Sequence, residues 1–136
     1  MPALDINILS VIVAAIANMI IGFVWYGPLL FAKKWMQLTG MSEEKMKSMN
    51  PVPLYLKSFI AVLIMYAVLA HFINLSMALT AFDGMVTAFW CWLGFITTVQ
   101  FTSNIFSDKP RQLYYLDTGY QLVTTLVAGA ILAAWR

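Results

Sequence analysis

Charge is scarce in this chain: 8 Lys and Arg, 6 Asp and Glu and 1 His stand among 136 residues, or 10% charged, against ~25% in soluble domains. That shortage excludes an ordinary soluble domain, and a net charge of +2 is too small for a nucleic-acid surface. The one cysteine, Cys91, cannot form an internal disulfide and says little about redox compartment. The one histidine, His71, excludes a multi-histidine metal site. As a catalyst it would need an acid partner, Asp83 being nearest in sequence; as a packing group it would be hydrogen-bonded between helices. The chain has no glycine-rich phosphate loop, metal-ligand spacing, nucleophile elbow or low-complexity tract, so no cofactor is implied.

What it does have is apolar length. Hydrophobic residues make up 62% of the chain, gathered into stretches from Ile6 to Phe31, Leu54 to Leu79, Met85 to Phe106 and Tyr114 to Trp135, the last helix starting at about residue 112. Each reaches the ~20 residues that a helix needs to span hydrocarbon. The pattern predicts an all-α integral membrane protein, a four-transmembrane-helix antiparallel bundle forming one membrane domain over 1–136, with the lipid bilayer as its surroundings. The first stretch is too long for the core of a signal peptide and lacks its basic flank, so it is expected to be retained as a helix.

The connections are short. Trp25-Tyr26-Gly27-Pro28 predicts a bent helix end, because proline lacks a donor and disfavours helix in the residue before it. Ser42-Glu43-Glu44-Lys45 predicts a short interfacial helix over 42–49, capped by Ser42. Ser107-Asp108-Lys109-Pro110-Arg111 predicts a tight hairpin, with Ser107 or Asp108 capping the fourth helix and Pro110 in its first turn.

Basic residues set the orientation. Lys33, Lys34, Lys45, Lys47, Lys57, Lys109 and Arg111 fall on one side, leaving Arg136 on the other. Lysine and arginine near span ends stay in the cytoplasm, so both termini are expected outside it, in a bacterial inner membrane or a plasma membrane. The bias also argues against the small multidrug transporters of four helices, whose dual-topology members have nearly balanced loops and a glutamate in the first helix. This first helix has Asn18 at mid-span and no acid.

Polar residues repeat at helical spacing: Asn7, Ser10, Ala14, Asn18, Gly22 and Tyr26 in the first helix; Gly94, Thr97, Gln100 or Phe101, and Asn104 in the third; Asp117, Gln121, Thr124 and Ala128 in the fourth. Such stripes serve either close packing with interhelical hydrogen bonds or a hydrated cavity. Asp117 is the one acid inside a span, and the spans hold no Lys or Arg apart from Lys57, counted with the loop before the second. Burying a carboxylate without protonation or a partner costs several kcal/mol. Its candidate partners are Asn104, Gln121 and Tyr26, with Lys109 or Arg111 reaching back from the interface.

The run Gly22-x-x-Trp25-Tyr26-x-Pro28-Leu29-Leu30-Phe31, then Trp35-Met36 and Gly40-Met41-Ser42-Glu43-Glu44, resembles the amino-terminal signature of the domain-of-unknown-function 1761 family of small membrane proteins. Gly94-Phe95, Asn104-x-Phe106, Leu116-Asp117-x-Gly119-Tyr120, Gly129-x-Ile131-Leu132 and Trp135 continue the resemblance over nearly the whole chain. It implies four helices and transfers no activity. It also favours Trp25, Tyr26, Pro28, Asn104, Asp117 and Tyr120, with Gln121, as a ligand or ion pocket near the cytoplasm, ahead of Asn18, Gln100 and His71.

The leading reading is a small-solute or ion-handling membrane protein working as a homo-oligomer, since four helices barely enclose a path alone. A structural or adaptor protein would instead pack its polar stripes dry. A lipid-directed enzyme with Asp117 as acid or base ranks below both, having no nucleophile or metal set.

Overall fold

The protein is described by a computed structural model covering residues 5–136. Among these residues it is helical without strands: α1 is Ile8–Trp25, α2 Ala32–Thr39, α3 Glu43–Ser48, α4 Pro51–Leu75, α5 Ala81–Phe106 and α6 Arg111–Ala134. Helices α1, α4, α5 and α6, of 18, 25, 26 and 24 residues, are long and apolar enough to cross a membrane.

Local chemistry fixes most helix starts. The Asn7 side chain accepts hydrogen bonds from the Leu9 and Ser10 amides at 3.1 and 3.4 Å, and Ser42 Oγ accepts from Lys45 N at 3.1 Å. Asn50 caps α4, with Pro51 at the first helical position, where a missing donor costs nothing. At α5, Thr80 Oγ1 accepts from Asp83 N while Asp83 Oδ2 accepts from Thr80 N, a reciprocal cap that occupies this acid at the helix start.

Four local expectations differ from what is observed. The first helix ends at Trp25 instead of running to Phe31, and residues 32–39 form an extra amphipathic helix, α2, closed by Gly40 in the left-handed region at φ 74°. The second span starts earlier, at Pro51, and ends at Leu75; Lys57, counted above with the preceding loop, lies within α4 on its exposed surface. Neither Ser107 nor Asp108 caps α6: its N-cap is Pro110 without a side-chain bond. Asp108 instead takes a positive φ of 54° to close α5, where Lys109 N donates to Asn104 O at 3.1 Å. Finally, α5 holds a π-helical stretch over Trp92–Thr97. One inserted residue rotates the remainder of the helix by about 100° relative to a regular α-helix, which carries Gly94 out of the predicted stripe onto the exposed surface while Thr97 and Asn104 stay buried.

Helix α6 is the one the others share, packing against α1, α4 and α5. Its closest neighbour is α5. A Cβ on Gly84 would collide with the Gly129 carbonyl and the Ala133 methyl, and one on Gly129 with the Gly84 carbonyl and Ala88. Backbones approach this closely only over small residues, the usual basis of tight helix pairs in lipid. The core gathers away from the lysine-rich connections, with Val11, Ala14 and Ala15 of α1 meeting Tyr66, Leu69 and Ile73 of α4 and Ala128 and Leu132 of α6.

Candidate functional site

At the end of α1 the chain turns through Tyr26 to Phe31, held by bonds from Tyr26 N to Gly22 O, Phe31 N to Trp25 O and Ala32 N to Gly27 O. Gly27 sits against the Phe23 carbonyl, leaving no room for a side chain. This turn aims Trp25 and Tyr26 at the first turns of α6. Trp25 Nε1 donates to Leu116 O at 3.2 Å, and Tyr26 Oη donates to Asp117 Oδ1 at 2.6 Å. A short bond to a carboxyl oxygen is among the stronger neutral-donor contacts available to a phenol.

A second set of bonds lies one turn deeper. Tyr120 Oη donates to Asn18 Oδ1 at 2.7 Å, Asn18 Nδ2 to Tyr66 Oη at 2.8 Å, and Tyr66 Oη to Thr124 O at 3.2 Å. Three helices are thereby tied through two phenols and one amide. The rings of Tyr26 and Tyr120 meet edge to face, centroids 5.2 Å apart, and Tyr120 fits because position 22 is glycine: a Cβ there would stand 3.0 Å from its hydroxyl.

Beside these groups, where α1 and α4 part toward the lysine-rich connections, lies an open cleft of about 610 Å³. Its walls are Asn18, Met19, Gly22, Phe23, Tyr26, Gly27 and Pro28 from α1 and its turn, Tyr55, Ser58, Ala61 and Val62 from α4, and Tyr120 and Gln121 from α6. Phe23 and Tyr55 touch edge on across it, centroids 5.2 Å apart. The wall carries no charged side chain. Gln121 Oε1 is buried with no hydrogen-bond partner.

Of the residues singled out from sequence, Trp25, Tyr26, Asp117 and Tyr120 come together, and Pro28, Gln121 and Asn18 join them through the cleft. Asp117 stands behind Tyr26 and outside the lining. Asn104 and Gln100 belong elsewhere. They lie on α5, which meets another side of α6: Trp92 Nε1 donates to Thr118 O and Tyr114 Oη to Thr97 O, both at 3.0 Å. Asn104 is buried with its Nδ2 unpartnered. His71 Nδ1 lies 2.8 Å from Ala67 O of its own helix, so its bond is within α4 and does not bridge helices. Sequence reasoning missed Tyr66, fully buried at the crossing, and Tyr55 and Ser58, three residues apart on α4. The signal for Tyr66 was a lone phenol amid aliphatic residues, whose hydroxyl must find a partner. Among the described residues no group of three His, Cys, Asp or Glu side chains could hold a metal ion.

The features define a class: an all-helical protein with four helices fit to cross a membrane and an aromatic cleft at the end where its basic residues gather. The chain matches the family described as protein of unknown function (DUF1761) over residues 9–133, and it belongs to that family. No curated protein and no solved structure matches it.

Proposed function

We propose that this chain is an integral membrane protein, a four-helix bundle that takes a small solute into the α1–α4 cleft from the cytoplasmic side. The observation that carries the reading is the buried, unpartnered Gln121 Oε1 in the cleft wall. An orphaned acceptor costs about 1–3 kcal/mol unless something donates to it, and a small turn of the Gln121 side chain, which lines the cleft, would present it to a bound molecule. A volume of about 610 Å³ falls in the range of small-molecule sites.

The cleft is no channel. Beyond Tyr66 the crossing is filled by Ala15, Leu69 and Ile73, all buried, so one copy offers no path through the outer half. Passage would need α1 and α4 to rearrange, or a boundary between copies. The homo-oligomer finds support in α5, where only 11% of the most apolar window is buried and Trp90, Leu93, Phe95 and Val99 are exposed. That face also suits an adaptor whose partner is another helix, the second reading.

Purified protein in liposomes, tested for flux against a panel of ions and uncharged solutes, decides between them. Saturable flux that is abolished by Ala61→Trp, which places an indole in the cleft, is the expected outcome. If no member of the panel moves, or Ala61→Trp leaves flux unchanged, the adaptor reading replaces it.

A further inference from the structure

We propose that the ligand of the cleft is an ammonium on an apolar body, either a free amine or the headgroup of an aminolipid. The inference rests on the solute-binding reading and narrows it to one chemistry.

The deep wall has spent its hydroxyl hydrogens. Tyr26 Oη donates its hydrogen bond to Asp117 and Tyr120 Oη donates to Asn18, so neither phenol of the cleft wall keeps a hydrogen to offer a ligand. Gln121 Oε1 adds a third acceptor, buried and unclaimed. Acceptors left without donors call for a ligand rich in donors. Aromatic rings surround that space, with Phe23 and Tyr55 at the mouth and Tyr26 and Tyr120 inside, and ring faces attract cations, more so where water is thin. No lysine or arginine lines the cleft, so nothing there recommends a phosphate or a carboxylate. Lys57, between Tyr55 and Ser58 in sequence, is exposed and outside the lining. Asp117 sits one hydrogen bond behind Tyr26, and by accepting from that phenol it strengthens the phenol oxygen as an acceptor.

The full chain in phosphatidylcholine nanodiscs, with empty discs subtracted, can be titrated by ligand-observed NMR with benzylammonium, benzyl alcohol and benzoate. Benzylammonium should bind saturably, benzyl alcohol at least about tenfold more weakly and benzoate not at all. Gln121→Met, near in shape but without the acceptor, should weaken benzylammonium about tenfold or more. Gln121→Glu should strengthen it, which keeps the test decisive if the first variant folds poorly. Discs containing phosphatidylethanolamine identify the source: suppressed benzylammonium binding assigns the site to the lipid headgroup, and unchanged binding assigns it to a free amine. Benzoate or benzyl alcohol binding as tightly as benzylammonium, or affinities indifferent to both Gln121 variants, overturns the ammonium. If benzyl alcohol binding is also abolished by Ala61→Trp, solute binding stands while the ammonium falls. No saturable binding by any of the three probes overturns the ammonium, and the flux panel then judges the solute reading separately.

Discussion

The pair Tyr26 and Asp117 concentrates what single residues contribute here. The carboxyl is half-buried, its one hydrogen-bonding side-chain partner among the described residues is a phenol 2.6 Å away, and no bond joins it to Asn104 or Gln121. Asp117→Asn keeps an acceptor for that phenol while removing the ability to ionise. It should leave the protein folded by size-exclusion chromatography and abolish its activity in a growth or flux assay, whereas full activity would make the carboxyl a packing group. Asp117→Leu and Tyr26→Phe each strand one polar partner, and thermal unfolding in detergent should register a loss of about 1 kcal/mol, the low end for a site still partly wet. Asn18→Leu goes further, since it removes two side-chain bonds at a buried crossing, leaving Tyr120 only the main-chain carbonyl of residue 18 and Tyr66 only the Thr124 carbonyl; about 1–3 kcal/mol should be lost. Asp117 was legible as the one acid in an apolar run, and Tyr26 as part of a helix-ending Trp-Tyr-Gly-Pro. Their contact was not legible, because it depends on how far the chain turns after Trp25.

Among the elements, the end of α1 and the middle of α5 were the hardest to read. Proline marks where α1 stops, but the turn itself is held by Gly27 against the Phe23 carbonyl and by the bond from Phe31 N to Trp25 O. Pro28→Ala should therefore leave the turn in place, contrary to the straightening that proline's chemistry alone suggests, while Gly27→Ala should open it and loosen Tyr26 from Asp117. Tryptophan emission, through Trp25 and its Leu116 bond, would report the second change and not the first. In α5 the π stretch leaves no compositional trace that periodicity could detect, and a single inserted residue was enough to mislead the stripe through Gly94. The Gly84 and Gly129 contact was missed for another reason: small residues announce close approach without naming the partner helix. Gly84→Leu should overpack that contact and destabilise the protein by about 1–3 kcal/mol or more, read by thermal unfolding.

At the scale of the whole molecule, the question is which way the cleft opens. It lies at the end where α1 finishes and α4 and α6 begin, the same end that carries Lys33, Lys34, Lys45, Lys47, Lys57, Lys109 and Arg111. Retention of lysine and arginine on the cytoplasmic side would then aim the cleft inward and leave both termini outside. The charge difference, seven basic residues against Arg136 alone, is large enough that one orientation should dominate, unlike a chain with balanced loops. With Cys91 replaced by alanine, single cysteines at Ser48 in α3 and Leu79 in the α4–α5 connection report opposite ends. A membrane-impermeant maleimide on intact cells should label Leu79→Cys and spare Ser48→Cys, and lysis should expose both. The reverse pattern would turn the cleft outward and move any solute to the other side. Labelling of both positions in intact cells would mean two orientations coexist and would reopen the comparison with dual-topology transporters that the lysines argue against.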